Sequence, residues 1–348
     1  MYDYVIVGAG SAGCVLAARL TEDPDCHVLL LEAGPPDSAP EIAMPGAFVT
    51  LFHGPYAWED ATTPQAHAEG RSIPWPHGRT LGGSSSINGM VYIRGNRVDY
   101  DAWRDEFGCE GSLLLRSGID APGVGRGLQD HPLVILEWST PDTPNLWEEA
   151  TPENLARWQR TGEGPFASSG AETVAFTRSR DDLPAPDLLL GPMPGPAPDD
   201  GLGMPDRRGI ASLVMALDVR SRGSVTLEGI DPGYLTEQHD LDALAAGVEL
   251  TREIVGQGPL AAHTAGERAP GDQSTAEWIR ANVATAFHPA CSCAMGGSGD
   301  AVCDPDLSVR GVCGLSVVDA SVMPKLPRGN TNAPTIALAE RAADLIRA

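Results

Sequence analysis

The sequence predicts an α/β protein, in which a Rossmann-like nucleotide-binding unit with a reduced sheet is joined to a second unit of α+β character. Three observations carry that expectation. An apolar run, Tyr4-Val5-Ile6-Val7, passes directly into the turn Gly8-Ala9-Gly10-Ser11-Ala12-Gly13 and then into a helical stretch from Cys14 to Leu20. A second apolar run, Val28-Leu29-Leu30-Leu31, ends in Glu32. From Leu133 to about Val283 the texture changes to strand-like runs, a Pro-rich loop and a long amphipathic helix.

The opening turn is built to hold a nucleotide. Gly8 allows the tight bend, Gly10 lets the backbone approach a pyrophosphate, and Gly13 lets the following helix pack on the strand. The helix aims its free N–H groups and the positive end of its dipole at that pyrophosphate, past Ser11 and Ala12. Glu32, followed by Ala33, sits at the tip of the second strand, where a carboxylate accepts hydrogen bonds from a ribose hydroxyl. These residues alone leave NAD and FAD both open.

Composition narrows the class. The 348 residues are 42% hydrophobic, enough for two packed units, and the formal net charge is -23. An acid excess of that size argues against nucleic acid or an anionic membrane as a partner. No stretch has the apolar length of a membrane span, and the first strand begins too near residue 1 to leave room for a signal peptide. The expectation is a cytoplasmic protein. Seven cysteines without an export signal read as reduced thiols.

After Ala33-Gly34-Pro35-Pro36 the chain to Pro76 is rich in Pro, Gly and isolated aromatics such as Trp58 and Trp75, and reads as extended loop. Next comes His77-Gly78-Arg79-Thr80-Leu81-Gly82-Gly83-Ser84-Ser85-Ser86-Ile87-Asn88-Gly89-Met90. Its run of small side chains suits a backbone that passes close to a flat or charged ligand. Ile87, Met90, Val91 and Ile93 anchor it in a core. Candidate parallel strands are Tyr4 to Val7, Val28 to Leu31 and Leu315 to Val318, fewer than the about five or six of a typical sheet. In the second unit, Leu133 to Leu136 and Ser212 to Leu217 read as strands bracketing a Pro-rich loop from Pro184 to Pro205. Leu241, Leu244, Ala245, Val248 and Val255 share a helical face, with Asp240 as the expected N-cap. Near the C-terminus, Pro334 is expected to open a helix running to about Ile346, with Ala333 as a poor cap.

Several of these segments together resemble the glucose-methanol-choline (GMC) family of FAD-dependent oxidoreductases. The resemblance rests on the first turn, on Gly82 to Met90, and on Tyr92-Ile93-Arg94-Gly95-Asn96 with Asp99-Tyr100-Asp101-Ala102-Trp103. It extends through Leu128-Gln129-Asp130-His131-Pro132, Arg220 to Val225, Phe287-His288-Pro289, Val317 to Pro324 and Gly329 to Thr335. It implies FAD as the dinucleotide, held by the first turn, Glu32, Ala33, Trp58, Arg79, Gly82, Gly83, Ser86, Asn88, Gly89, Met90, Asp319, Ala320, Pro334 and Thr335. It also implies an FAD-binding domain made of residues 1–132 and 284–348, with a substrate-binding domain from 133 to 283. Ile87 stands where relatives with covalent flavin carry a histidine, which implies non-covalent FAD.

The chain departs from the family by deletion. Phe107-Gly108-Cys109-Glu110 runs almost directly into Gly111-Ser112-Leu113-Leu114, where relatives carry a long section with strands beside the adenine half of FAD. A shorter stretch between Ile119 and Pro122 is also missing. Impaired FAD binding is therefore one alternative for this chain.

The resemblance implies oxidation of an alcohol. His288, held extended by Pro289, would accept the hydroxyl proton, and the Asn332 amide would hold the substrate oxygen. Relatives that act on choline tend to carry an acid just after His-Pro, where this chain has Leu133, so the expected substrate is a small neutral alcohol. The electron acceptor is left open between oxygen and a quinone-like carrier. A non-redox hydroxynitrile-lyase-like reaction is the other enzymatic alternative. His288, Cys291, Cys293, Cys303 and Cys313 match no standard zinc spacing, so no metal is expected.

Overall fold

In the computed structural model, residues 1–109, 123–197 and 205–347 are described. Gly111 to Leu114, and the end of the Pro-rich loop before Pro205, lie outside them. The nucleotide unit opens with β1 (Tyr4–Val7), α1 (Ser11–Leu20) and β2 (Val28–Leu31), and β1 pairs with β2 in parallel from Tyr4↔Val28 to Val7↔Leu31. A helix α2 (Arg97–Asp105) follows, capped by the Asn96 side chain, which accepts from Val98 N. The second unit carries β3 (Pro132–Ser139), α3 (Pro152–Thr161), β4 (Ala175–Thr177), β5 (Leu188–Met193), β6 (Gly209–Ala216), α4 (Gln238–Val255), β7 (Glu267–Ala269), α5 (Thr275–Asn282) and β8 (Ala284–Thr285). The chain then returns to the first unit and ends in α6 (Asn332–Arg347).

The second unit is an antiparallel sheet in the order β7-β3-β6-β5-β4, with β8 also paired to β3. Val134, Leu136, Leu188 and Val214 point to α4 and α5 and meet Leu244, Val248 and Ile279. Leu133, Leu189, Met215 and Leu217 form the opposite face with Ala286. Both faces of β3 are therefore buried, which is why Leu133-Val134-Ile135-Leu136 is uninterrupted in apolarity. Leu133 lies opposite Ala284 and Pro132 opposite Thr285, which sets β8 against the start of β3.

Four local expectations are corrected. Leu315 to Val318 is not a strand beside β1: Leu315 O and Val317 N bond to Val309 N and Leu307 O, so the run satisfies its backbone in a narrow hairpin. Part of the expected Pro-rich loop is β5, because Leu188, Leu189 and Leu190 are buried between neighbouring strands. Asp240 lies inside α4, where its carboxylate accepts from the backbone N–H groups of Arg220 and Ser221, both at 2.9 Å. Ala333 is no cap, since α6 already starts at Asn332 and Thr335 N bonds back to Thr331 O at 3.0 Å.

The shortened sheet leaves a mark on β1. Ile6 is 9% exposed and packs with Leu16, Leu20 and Ala342 beneath α1 and α6, while Val5 and Val7 on the opposite face are 58% and 83% exposed. Parallel strands normally have both faces covered. Ile6→Ala is thus expected to cost about 2–5 kcal/mol of stability, and Val7→Ala less than about 0.5 kcal/mol, in urea unfolding followed by circular dichroism. Equal losses would mean that the outer face is covered in solution.

Candidate active site

Two backbone turns and two helix starts make the nucleotide cradle. At Gly13 a Cβ would lie 1.9 Å from the Gly8 carbonyl oxygen, so only glycine lets α1 approach the first turn this closely. Gly83, with φ +56°, brings the second turn against the first: a Cβ there would lie 2.8 Å from Gly10 Cα, and Gly82 N donates to Ala9 O at 2.7 Å. The N-terminus of α1 has no side-chain cap. Its first N–H groups are open to an anion, as helix starts favour. The start of α6 meets it there, with Ser11 Oγ donating to Asn332 Oδ1 at 2.6 Å. At the end of β2, the Glu32 carboxylate accepts from Ala9 N and Gly34 N, each at 2.8 Å, which fixes its oxygens beside the turn. A diphosphate flanked by a ribose fits this donor set.

The second half of the site is a buried pair of imidazoles. His288 follows Phe287, whose φ is +61°, and its backbone N–H donates to Asp130 Oδ1 at 2.8 Å. Its Nδ1 lies 3.0 Å from His131 Nδ1, and its Nε2 lies 3.0 Å from Asn330 Nδ2. Between two Nδ1 atoms only one proton fits, so one ring donates and the other accepts. The backbone at Leu217 and Pro327 opposes the effect of burial on His131, whose Nε2 is buried with no hydrogen-bond partner among the described residues. Asn330 Nδ2 donates to His288 Nε2, so Nε2 carries no proton, His288 holds its proton on Nδ1, and His131 Nδ1 is the acceptor. Asn330 Oδ1 is buried and has no partner, so the amide beside that base has hydrogen-bonding capacity to spare.

Burial sets the electrostatics. It pushes His288 down to about 4 and His131 well below the ordinary histidine range, the latter helped by the neighbouring ring. Asp130, wholly buried, is pushed up to about 6, against the opposing effect of donors that include the hydroxyls of Thr285 (2.6 Å) and Tyr234. The segment carrying Asn330 is pinned by charge. Arg328 bridges Asp99 of α2 and Asp218 (2.9 Å), Lys325 also reaches Asp218 (3.0 Å), and Arg328 N donates to Asp99 Oδ2 at 2.7 Å.

Residues 2–112 match the GMC oxidoreductase N-terminal family profile, and residues 219–339 match the C-terminal one. The chain is a GMC oxidoreductase. It is similar to the oxygen-dependent choline dehydrogenase of Vibrio vulnificus (strain YJ016), 30% identical over 526 residues that cover 99% of this chain and 94% of the relative. Two solved structures show the same fold. Pyridoxine 4-oxidase from Mesorbium loti superposes with a TM-score of 0.85 at 24% identity, covering 99% of each chain. An FAD-dependent oxidoreductase from Chaetomium thermophilum superposes with a TM-score of 0.81 at 19% identity, covering 100% of this chain and 99% of its own. A chain of 348 residues spans the 526-residue alignment only by omitting internal residues that the relative carries.

Within this GMC oxidoreductase the expected site residues fall into three groups. Gly8, Gly10, Ser11, Ala12, Gly13, Glu32, Ala33, Gly82, Gly83 and Asn332 gather at the cradle. Around its rim, the Arg79 guanidinium stacks 4.6 Å over Trp58, Ser86 Oγ donates to Leu81 O at 2.7 Å, and Asn88 Oδ1 accepts from Met90 N at 2.7 Å, which bends the backbone at Gly89. Asp319 caps the turn Ala320–Val322, whose Ala320 O accepts from Cys291 N, while Pro334 and Thr335 lie in the first turn of α6.

The third group is His288, and here the expected companion is corrected. Asn332 bonds to Ser11, and the amide on His288 belongs to Asn330, two residues earlier and outside the helix. His131 and Asp130 were legible only as a motif without a role. Their signal was polarity placed immediately before the apolar run of β3.

Proposed function

We propose that this GMC oxidoreductase oxidises the CH–OH group of a small neutral alcohol, with FAD bound non-covalently in the cradle. GMC oxidoreductases bind FAD, and the glycine cradle with Glu32 suits it. FAD supplies the hydride acceptor. Ile87 is buried against Leu51 and Ala57 and offers no nucleophile for a covalent link. The observation that carries the reading is the unprotonated His288 Nε2, held by the Asn330 amide, whose oxygen has no hydrogen-bond partner among the described residues. His288 Nε2 takes the hydroxyl proton as substrate displaces the Asn330 Nδ2 donor from it, His131 Nδ1 holds the ring in the tautomer that leaves Nε2 unprotonated, and the Asn330 amide positions the substrate oxygen. Residues 1–132 and 284–348 form the cofactor domain and 133–283 the substrate domain in this reading. Leu133, buried on the sheet, leaves a quaternary ammonium without a counter-charge at that place, which supports a neutral alcohol over choline.

Purified protein is expected to be yellow, and anaerobic mixing with alcohols should bleach it. A protein that stays colourless after incubation with FAD overturns the reading. Turnover of a cyanohydrin without bleaching would replace it with lyase chemistry.

The pH profile tests the base. With His288 held at about 4, the rate of flavin reduction should be level above about pH 6 and fall as pH drops toward 4. Stability should fall over the same range. The unfolded chain takes protons on both histidines below the ordinary 6.5, while the folded chain resists them. Asp130 works in the opposite sense between 3.8 and about 6, because there the folded state holds the proton more tightly. Two imidazoles against one carboxyl leave a net loss on acidification. A rate that keeps rising up to pH 8 would exclude a pre-formed base.

A further inference from the structure

His288 sits in a backbone bulge that a single facing residue closes. β8 runs antiparallel to the start of β3, with Thr285 opposite Pro132, and Ala286 N donates to His131 O at 3.0 Å. The pairing resumes where Gln129 and Ala290 exchange bonds of 3.0 and 2.9 Å. Between those two points the returning chain has Phe287, His288 and Pro289, while the facing segment has Asp130 alone. Extra residues in one strand of an antiparallel pair bend it and re-aim a side chain. Phe287 takes the bend, with a φ of +61° that a bulky residue rarely adopts.

A bulge takes backbone N–H groups away from their ladder partners, and each needs another acceptor. Pro289 has no N–H to place. Phe287 N donates to Thr285 Oγ1 at 2.7 Å, and His288 N donates to Asp130 Oδ1 at 2.8 Å. Asp130 Oδ2 accepts from the Thr285 hydroxyl at 2.6 Å and from the Tyr234 hydroxyl. Both N–H groups of the bulge therefore end on this carboxylate, one directly and one through Thr285. Tyr234 is itself fixed, since its N–H donates to Gln65 Oε1 at 3.1 Å while Gln65 Nε2 donates to Asp231 Oδ1 at 2.9 Å. Asp130, Thr285 and Tyr234 are all buried, so a partner lost there is not made good by bulk water. Only an ionised carboxylate accepts at both oxygens, because protonation turns one of them into a donor. The titratable groups bonded to Asp130 or next to it in the chain are His288, Tyr234 and His131.

We propose that Asp130, as a carboxylate, is a positioning residue for His288, closing the bulge that aims this ring at the substrate hydroxyl. The inference rests on the alcohol-oxidation reading. Asp130 acts through the backbone N–H of His288 and through Thr285, and takes no proton from the substrate. Burial pushes its carboxyl up to about 6, so the ionised form that closes the bulge prevails above that pH and is lost below it. Tyr234 belongs to the same device, because its hydroxyl favours the ionised form.

The test mixes the FAD-loaded protein and two variants anaerobically with an alcohol that bleaches the parent flavin, between about pH 5 and pH 9. Asp130→Asn keeps the size of the side chain but accepts at one end only. It should lower the saturating rate of flavin reduction roughly tenfold to a hundredfold, the cost of a misaimed base, while the half-saturating alcohol concentration changes less than about threefold. Tyr234→Phe takes a donor from the carboxylate, so the rate, read as a fraction of that variant's own plateau, should begin to fall at a pH higher by about half a unit or more. That variant carries the test alone if Asp130→Asn does not fold. A merely structural Asp130 would change melting temperatures and leave both readouts in place. A parent-like saturating rate in Asp130→Asn, or an unmoved acid limb in Tyr234→Phe, overturns the inference and leaves alcohol oxidation standing. If no alcohol bleaches the parent flavin, alcohol oxidation fails separately, and nitrogen-15 spectra of histidine-labelled protein decide the positioning. His288, identified by its missing signals in His288→Ala, should show one ring tautomer in the parent at pH 7 and a mixture in Asp130→Asn, or in Tyr234→Phe near pH 6 if the first variant does not fold. The same single tautomer throughout refutes it.

Discussion

His288→Ala is expected to slow flavin reduction by alcohol roughly a hundredfold or more, the range for loss of a positioned general base. The effect should be on the chemical step, since the cradle proposed to hold the cofactor contains none of the three residues around this ring. The substitution also strands His131 Nδ1 and the Asn330 amide, which would cost about 1–3 kcal/mol of stability for each polar group left unsatisfied. Melting curves should therefore accompany stopped-flow traces. A matched pair separates the two asparagines. Asn330→Ala should lower the reduction rate at least tenfold with the flavin still bound, whereas Asn332→Ala removes the contact to Ser11 and should act first on flavin retention. A His288→Ala protein that reduces its flavin at the parent rate would remove this histidine from the mechanism.

Gly13→Ala is expected to yield protein without flavin. A methyl group at this position meets the Gly8 carbonyl oxygen at 1.9 Å, well inside contact distance and against backbone that has no alternative path. Either α1 moves off β1 or the turn opens, and both changes withdraw the N–H groups proposed to bind the pyrophosphate. Absorbance near 450 nm in the purified variant, compared with total protein, measures the loss. Retention of full flavin content would show that the first turn is not where the cofactor is held. The shortened sheet sharpens this expectation, because among the described residues no second layer covers Val5 and Val7 to restrain β1 if α1 shifts.

Much of the fold was legible because its signals are local. The glycine turn, the two short parallel strands, the runs that became β3 and β6, and the long helix α4 follow from apolar periodicity and backbone permissiveness, which neighbouring residues set among themselves. Leu315 to Val318 shows where that reasoning stops. Its apolar pattern suits a strand, yet a strand needs a partner edge, and the chain offers this run a hairpin with Leu307 to Val309 instead. Strand Leu188–Met193 was hidden for the opposite reason, since prolines on both sides of it outweigh three leucines in a local reading.

By itself, the sequence carried a glycine turn suited to a dinucleotide, a GMC signature and a histidine held ahead of a proline. Tertiary structure alone decided which side chains share that histidine. His131 and His288 are 157 residues apart in sequence and 3.0 Å apart in space. Asn330 and Asn332 are equally plausible in the sequence because both are amides beside a helix start. Only the placement of the loop, pinned through Arg328 to Asp99 and Asp218, turns the first toward His288 and leaves the second to Ser11. Hydrogen-bond partners depend on direction and distance across packed elements, and neither is written in the order of residues.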